Sequence, residues 1–220
     1  GSEMCIRDSD YTDQKEKIFD NFIDQGLPNK RNESWKYFDL VSKSKKYIKN
    51  DISNSEIIVE DLEEKNIFYD YADNNLSIED YFKPCNFFKS ESVVDLNVAC
   101  GNQIKILDIK HTQNEPITIK IDHNGKNISL PRLIINIADN VKAKINYVNS
   151  TTNGFLNLLV EYNIGNKSEL EISRINSSQG LLVETNLVFL LNHSNFNMKN
   201  LSMPIESVSY THLTLPTKVE

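Results

Sequence analysis

The second half of the chain consists of short apolar runs that recur between residues with turn propensity. Asn, Gly, Asp and Ser separate eight such runs, which are Gln103–Ile109, Ile117–Ile121, Leu133–Ile137, Val141–Val148, Phe155–Ile164, Glu169–Ile175, Leu182–Leu191 and Phe196–Met203. In Val141–Val148 apolar and polar residues alternate, which places the two kinds on opposite faces of a strand. A series of strands at regular spacing predicts a β-sandwich, a β-barrel or a β-helix.

The segments between the runs narrow the choice among these architectures. They are too short to hold helices, so a sheet built from βαβ units is excluded. Asn124-Gly125 is the single good signal for a tight hairpin turn, and 7 glycines in 220 residues are too few for a meander of hairpins. Asn at the turns tolerates the left-handed backbone that corners between coils need. These observations favour a β-helix, although periodicity alone leaves a sandwich open.

The residues before the repeated runs predict a small mixed α/β region. Apolar residues at helical spacing predict an amphipathic helix from Tyr11 to Gln25, whose narrow apolar stripe must dock on another element. The further predictions are a short helix over Tyr37–Ile48, strands over Ile57–Val59 and Ile67–Tyr71, and a weak helix over Ser77–Phe82 that ends near Pro84.

The two ends of the chain do not continue the patterns beside them. Both resemble translated adapter sequence of the kind found at the ends of assembled reads. We therefore expect residues 1–9 to be a non-native leader and residues 208–220 a non-native tail, and we leave Cys5 and His212 out of every candidate site. Residues 10–92 then form the N-terminal region and residues 93–207 an incomplete β core, which we expect to continue in the natural protein.

The composition excludes several classes of partner and compartment. A formal net charge of −7 argues against binding to nucleic acid or to an anionic membrane. No apolar run approaches the roughly 20 residues that span a bilayer, and no secretory signal is visible. A local basic cluster flanked by Asp39 and Asp51 is interpreted as the solvated face of a helix; its members are Lys43, Lys45, Lys46 and Lys49.

Potential catalytic and metal-binding residues are few and isolated. Cys85 and Cys100 are far apart and form no Cys-x-x-Cys pair, which predicts a reduced, cytoplasmic protein; Cys100 is interpreted as a buried thiol at the end of a strand. His111, His123 and His193 lack a second ligand at metal-site spacing. Since familiar catalytic motifs are also missing, we predict no catalytic, cofactor-binding or metal-binding residue, and no enzyme activity.

The segment from Gly26 to Leu40 holds the only Trp of the chain and joins the first helix to the β-rich remainder. Gly26 suits the left-handed position after a last helical turn, and Pro28 cannot continue the helix. Trp35 and Tyr37 offer large apolar faces, each with a polar tip that needs a partner. From the residues alone, this segment is interpreted as a packing element between two parts of the structure.

A resemblance to a known family gives this segment a more specific meaning. Gly26-Leu27-Pro28, Lys30-Arg31 and Glu33-Ser34-Trp35-Lys36-Tyr37 together resemble the N-terminal signature of the SufD family. Val94–Ala99 resembles the start of that family's β-helical core, and Glu115-Pro116-Ile117 resembles its next landmark. The resemblance implies that a structural motif packs the N-terminal region against the core, and its residues are Gly26, Pro28, Glu33, Trp35, Lys36 and Tyr37.

The resemblance also implies a fold and a function. The fold would be mainly β, with an incomplete right-handed parallel β-helix core preceded by a small α/β N-terminal region. SufD proteins are scaffold subunits of the SufBCD machinery for iron–sulfur cluster assembly, so the implied partners are a SufB-like subunit and a SufC-like ATPase. The family's cluster-associated Cys and His and its ATPase-binding helices have no counterpart in this sequence, so none is carried over. Clusters and ATP would belong to the complete complex.

The alternative hypothesis is a carbohydrate-active or adhesin-like β-helical protein. Such an enzyme needs clustered carboxylates, or Arg and Lys near a calcium site, along one strand face, and a signal peptide is expected in such proteins. The acidic residues of the β region are instead scattered over turns and faces; they are Asp95, Asp108, Asp122, Asp139, Glu161, Glu169 and Glu171.

Overall fold

Strands dominate the structure, and most of them belong to one parallel β-helix. A computed structural model describes residues 2–32, 35–48, 51–71, 77–88, 91–202 and 210–214. The helices are α1 (Ser2–Gln25), α2 (Leu40–Ser44), α3 (Ile78–Phe87) and α4 (Ser92–Cys100). The strands are β1 (Glu56–Glu60), β2 (Ile67–Asp70), β3 (Gln103–Ile109), β4 (Ile117–His123), β5 (Ile128–Ser129), β6 (Pro131–Ile137), β7 (Lys142–Thr151), β8 (Phe155–Ile164), β9 (Glu169–Ser178), β10 (Leu181–Leu190), β11 (Asn195–Ser202) and β12 (Tyr210–Thr214).

The strands after α4 pass alternately through two parallel sheets. Sheet A has the strand order β12-β10-β8-β6-β3-β2, and sheet B has the order β1-β4-β7-β9-β11. The ladders from β3 to β12 are parallel, whereas β1 and β2 join the sheets as antiparallel edge strands. This arrangement is a β-helix of about four coils. The predicted β-helix is therefore confirmed, and the sandwich that the periodicity left open is wrong.

Each coil contains nearly the same number of residues. Hydrogen-bonded neighbours in sheet A lie 28, 27 and 26 residues apart, since Gln103 pairs with Pro131, Arg132 with Leu159, and Phe155 with Leu181. Side chains at equivalent positions therefore stack in columns that run along the axis of the β-helix. The eight predicted strands all occur, and the bounds of β3 and β8 match the predicted ones to the residue.

The interior of the β-helix is filled by aliphatic side chains from both sheets. Ile117, Ile145 and Ile172 form one fully buried column of sheet B, and Leu133 and Leu158 face it from sheet A. Alternation along the strands selects these positions, because every second residue points inward. Burial of each aliphatic side chain contributes about 1.5–3 kcal/mol, so this interior is the main source of stability in the β region.

The outer faces of the two sheets are different. The outer face of sheet A is covered by the N-terminal region, where Trp35, Tyr81 and Phe82 join the same apolar cluster as Ile134 and Leu159. The outer face of sheet B carries exposed ion pairs, such as Lys142 with Glu169 and Lys199 with Glu171. The N-terminal region therefore packs on one side of the β-helix.

Helix α1 begins earlier than predicted and ends where predicted. It runs from Ser2 and so includes most of the expected leader, residues 1–9. It ends at Gln25, and the next residue, Gly26, has φ +65° and donates its N–H to the carbonyl of Phe22 at 2.8 Å. At the other end, β12 lies inside the expected tail and pairs with β10. The non-native origin of these two segments stays a prediction.

Helix α3 continues through a proline, which corrects the predicted end near Pro84. Pro84 has no N–H to donate to the carbonyl of Asp80, four residues earlier. The guanidinium of Arg132 donates to that carbonyl instead at 2.9 Å, and to the carbonyl of Tyr81 at 2.6 Å. Because a side chain from β6 satisfies these carbonyls, α3 extends to Phe87.

Residues 92–100 form helix α4 and not the predicted strand that ends at Cys100. The residues from Ser92 to Val98 are all buried, so this helix lacks the polar face of a surface helix. The Asn97 side chain donates to the carbonyls of Pro131 at 3.1 Å and Asn157 at 2.8 Å, which fixes α4 against the first coils. A short apolar run with no polar face predicts a buried strand and a buried helix equally well, which explains the error.

Across the part of the chain that the structure describes, no helix combines the length and apolar character needed to cross a membrane.

Candidate functional site

The interior of the β-helix changes from apolar to polar in its later coils. One column of sheet B runs from Ile119 through Tyr147 and Arg174 to Asn200, and its neighbour runs from Ile121 through Asn149 to Asn176. Glu184 in β10 meets these columns from sheet A. We call this group the luminal polar cluster; its members are Tyr147, Asn149, Tyr162, Arg174, Asn176 and Glu184.

A buried ion pair joins the two sheets at the centre of this cluster. Arg174 donates from Nη1 to Glu184, and their side chains are 1% and 0% exposed. The other oxygen of Glu184 accepts from Asn149 Nδ2 at 2.9 Å, and the same amide contacts Asn176 Oδ1 at 3.1 Å. Arg174 Nε also donates to Asn200 Oδ1 at 3.3 Å. The charges are thus matched by hydrogen bonds that span the interior from β9 and β7 to β10.

The electrostatics of the cluster follow from its burial. Removal from water raises the pKa of Glu184, against the opposing effect of the Arg174 charge. Burial likewise raises the pKa of the Tyr147 and Tyr162 phenols, so both stay protonated. Within the described residues, neither phenol oxygen has a hydrogen-bond partner. The cluster therefore contains two neutral phenols beside one charge pair.

This geometry favours a structural role for the cluster. The side chains of its ion pair are buried. Arg174 meets Glu184 only if β9 and β10 keep their register with their neighbours, because a slip by one residue would turn Arg174 to the outer face. The ion pair therefore selects one register for the later coils.

A second buried ion pair lies on the outer face of sheet A, beneath α3. Arg132 in β6 donates from Nε to Glu161 in β8, and both side chains are 2% exposed. The remaining donors of Arg132 bind the carbonyls of Asp80 and Tyr81, and its guanidinium lies 5.4 Å from the centre of the Tyr81 ring. This pair therefore connects two coils of the β-helix to the N-terminal region.

A ladder of polar side chains runs beside the second pair. Asn136 donates to Asp108 and Asn163 donates to Asn136, both at 2.8 Å, in successive coils of sheet A. Lys83 of α3 donates to Asn163 Oδ1 at 3.0 Å, with its Nζ 3.6 Å from the centre of the Phe189 ring. Burial lowers the pKa of Lys83. The ladder gives α3 a second polar attachment to the β-helix.

The structure separates the residues of the predicted structural motif. Trp35 is 2% exposed and contacts Phe38 with ring centres 6.3 Å apart, and Pro28 is also buried. Tyr37, in contrast, is 89% exposed, so the expectation that it packs is wrong. Lys36 Nζ lies 5.2 Å from the Tyr37 ring centre on the surface. Glu33 lies outside the described residues.

Among the described residues, the cysteines and histidines lie apart from one another. Burial raises the pKa of both Cys85 and Cys100, and Cys85 hydrogen-bonds to Asp95. His123 is buried, and its Nε2 lies 2.9 Å from the Asn127 carbonyl. In the described ranges, no three side chains of His, Cys, Asp or Glu lie close enough together to hold a metal ion. Neither thiol is activated by its surroundings.

Sequence reasoning missed both buried Arg–Glu pairs. The signal was present in β9, where the inward positions Leu170 and Ile172 are followed by Arg174. A second signal was Glu184, a charge inside the apolar run of β10. An inward charge requires a partner of opposite sign. The identity of that partner depends on how the coils stack, which the runs alone did not reveal.

Comparisons of the chain with protein-family models, with curated proteins and with solved structures found no match. The functional interpretation therefore depends on the geometry of the two buried pairs and on the resemblance carried by the Trp35 segment.

Proposed function

We propose that this chain is a scaffold subunit of the SufD kind, which acts in the cytoplasm in iron–sulfur cluster assembly. It would pair with a SufB-like subunit and be driven by a SufC-like ATPase. It would carry out no catalysis itself, and the clusters and ATP would be handled by the complete complex. The observation that carries the proposal is the architecture: a β-helix that follows an N-terminal region anchored by Trp35.

The packing of the β-helix supports a mechanical role. In the mechanism that the resemblance implies, dimerisation of the ATPases strains the paired β-helices and opens a cluster site between them. Such a subunit must transmit strain and not absorb it. A close-packed interior has low compressibility, and the Arg174–Glu184 pair ties sheet A to sheet B across it. The Arg132–Glu161 pair ties the helices to the same body.

The carboxylates of the β region give the alternative function less support. Carbohydrate cleavage requires a pair of carboxylates that face the substrate. All seven acidic residues of the β region considered for that role are bonded to a neighbouring side chain; they are Asp95, Asp108, Asp122, Asp139, Glu161, Glu169 and Glu171. Because Glu161 is also sealed beneath α3, it is unsuited to such a role.

The first experiment extends the reading frame of the source DNA outward from the codons for Ile18 and Met203. We expect further β coils, a Cys and a His near the end of the β-helix, and helices after it. A stop codon close to Lys218 would remove the cluster-assembly site and contradict the proposal.

The second experiment tests assembly of the chain in its extended frame. It is mixed with a SufB-like subunit and a SufC-like ATPase, and the mass of the product is measured by light scattering after size exclusion. We expect one complex that contains all three proteins. As a matched control, an unrelated β-helical polysaccharide lyase should elute separately. Binding of the extended chain to a polysaccharide, with no complex formed, would support the alternative function instead.

A further inference from the structure

Several oxygens inside the later coils of the β-helix lack a bonding partner. Among the described residues of the β-helix, the buried side-chain oxygens without a hydrogen bond are the hydroxyls of Tyr147, Thr151 and Tyr162 and the amide oxygens of Asn149 and Asn186. One coil earlier, the columns of Tyr147 and Asn149 hold Ile119 and Ile121, which are buried and need no polar partner. The need for additional partners therefore arises where the interior becomes polar.

Four of these oxygens lie around the Glu184 carboxylate. The amide of Asn149 donates to Glu184 at 2.9 Å, so its oxygen is close by. Asn186 lies two residues after Glu184 on the inner face of β10; burial raises the pKa of Glu184, and the Asn186 side chain opposes that rise. Burial also raises the pKa of Tyr147 and Tyr162, and the Glu184 charge adds to both effects. Hydroxyl donors and amide acceptors therefore share one part of the interior.

Buried polar groups without partners are uncommon in native proteins. Such a group has given up its bonds to water on folding, and the cost of leaving it unbonded exceeds what an ordinary hydrogen bond contributes. For this reason, the large majority of buried polar side-chain atoms bond either to the protein or to ordered water. Several unbonded oxygens around one carboxylate therefore indicate that a further molecule is bonded to them.

The surroundings of these oxygens define the chemistry of that molecule. The charges of Arg174 and Glu184 match within their pair, so an additional ion would leave an unmatched buried charge. Amide oxygens only accept hydrogen bonds, whereas hydroxyls can donate, so a molecule that bonds to both kinds must donate and accept. Aliphatic side chains such as Ile145 and Ile172 fill the neighbouring part of the interior, which limits its size. Water meets all three requirements.

We propose that the interior of the later coils binds water beside Glu184, held by Tyr147, Asn149, Tyr162 and Asn186. A buried water typically makes about three hydrogen bonds to polar groups that the protein leaves unbonded, and these four side chains supply such groups. They belong to β7, β8 and β10. The bound water therefore connects strands of two successive coils across the interior, in addition to the Arg174–Glu184 pair.

Magnetic relaxation dispersion of water oxygen-17 in a solution of the purified chain tests this site, because it detects water that stays bound for longer than the protein takes to tumble. The test variant carries Tyr147→Phe and Tyr162→Phe. The matched control carries Tyr37→Phe and Tyr69→Phe, since Tyr37 is exposed and the Tyr69 phenol donates to Asp108. We expect the dispersion amplitude of the test variant to fall by at least the contribution of one water molecule, and that of the control to match the parent chain.

Urea denaturation of the same variants gives a second test. If water bonds to the two phenols, the equilibrium constant for folding should fall by about twofold to tenfold for each phenol removed.

Four outcomes would overturn the proposal. The first is a parent chain without long-lived water, and the second is a test variant that keeps the amplitude of the parent. The third is an equal loss of amplitude in both variants, because the water would then lie outside the luminal polar cluster. The fourth is a higher equilibrium constant for folding in the test variant, because removal of an oxygen without a partner stabilises the folded chain. Neither measurement needs a SufB-like partner, so both are independent of the proposed scaffold function.

Discussion

The two buried Arg–Glu pairs have the same chemistry but connect different parts of the structure. Arg174 and Glu184 lie inside the β-helix and connect sheet B to sheet A, with amide side chains as their other partners. Arg132 and Glu161 lie outside it and connect neighbouring strands of sheet A to α3 through two backbone carbonyls. Among the described residues, the partners given for the first pair lie within the β-helix. The second pair also replaces a hydrogen bond that Pro84 removes from α3.

This difference determines what each pair contributes. A buried ion pair gains little net free energy over well-packed apolar residues, but removal of one partner costs about 3–5 kcal/mol because a charge stays buried alone. Inside the β-helix, both charges can be removed together. Beneath α3, removal of both charges still leaves the Asp80 carbonyl without a donor, because Pro84 has no N–H to replace Arg132. Single and double substitutions therefore distinguish the contributions of the two ion pairs to stability.

The largest effect is expected for the inner pair. Arg174→Met should lower the free energy of unfolding by about 4 kcal/mol, since Glu184 then stays buried without its cation. Adding Glu184→Leu should restore stability to within about 1 kcal/mol of the parent chain, because apolar residues of similar volume fit the same interior. Urea denaturation followed by circular dichroism measures both values.

A double variant as unstable as Arg174→Met would contradict this account of the inner pair. It would mean that the amides of the luminal polar cluster depend on both charges. Asn149 is the residue to examine in that case, since its Nδ2 donates to Glu184 and to Asn176. Asn149→Leu combined with the double variant would then recover stability only if those amides are the cause.

The next effect, in order of size, concerns the outer pair. Arg132→Met should cost about 3 kcal/mol, and adding Glu161→Leu should leave a loss of about 2 kcal/mol because the Asp80 carbonyl, which Pro84 leaves without a helical donor, also loses the Arg132 guanidinium. Hydrogen exchange should show the loss of protection concentrated in residues 78–87. Full recovery of the free energy of unfolding in the double variant, as expected for the inner pair, would mean that the two ion pairs do not differ in this way.

These pairs also show what the sequence could and could not predict. The strands were predicted because inward and outward positions alternate, and that pattern depends only on neighbours along the chain. The partner of Glu184 depends on coil stacking, which brings β9 opposite β10 across the interior. The carbonyl that Pro84 leaves without a helical donor belongs to Asp80, and its partner is Arg132, 52 residues later in the chain. When side chains from two distant segments form a contact, each segment contains only one of the two residues. Neither segment alone therefore predicts the contact.

The same reasoning explains the errors in the N-terminal region. Tyr37 and Trp35 have similar apolar content, and only the tertiary packing decides that Trp35 is buried and Tyr37 exposed. In α4 the absence of a polar face was a sign of full burial, and it left strand and helix equally plausible.

A smaller effect is expected at Asp95, a buried carboxylate that lies beside the Cys85 thiol and the Glu91 carboxylate. Burial raises its pKa above the ordinary value of 3.8, so the folded chain holds this proton more tightly than the unfolded chain. The contribution of Asp95 to stability therefore falls as the pH rises from about 4 through the folded-state pKa. Asp95→Asn removes this dependence, so the variant should gain stability relative to the parent as the pH increases.

Urea midpoints measured from pH 4 to pH 8 test the Asp95 prediction. The difference between variant and parent should grow with pH and then level off, while the contribution of Glu184 is common to both proteins and cancels. A difference that stays constant with pH would mean that Asp95 keeps its ordinary pKa. Burial beside a thiol would then be too weak to disfavour the ionised carboxylate, unlike burial at Glu184.

The smallest effect is expected for an ion pair with the same charges in an exposed setting. Lys142 Nζ lies 3.0 Å from Glu169 on the outer face of sheet B, where the side chains are 65% and 52% exposed. Solvent screens such a pair, so Lys142→Met should change the free energy of unfolding by less than about 1 kcal/mol. Lys142→Met and Arg132→Met both remove a cation from a carboxylate in a neighbouring coil, but Arg132 is buried and also donates to two carbonyls of α3, whereas Lys142 is exposed. Urea denaturation at 20 mM and 500 mM salt compares the two substitutions: the small effect of Lys142→Met should disappear at high salt, whereas that of Arg132→Met should persist. Equal effects for the two substitutions would show that strand pairing, and not burial, sets the strength of these bonds.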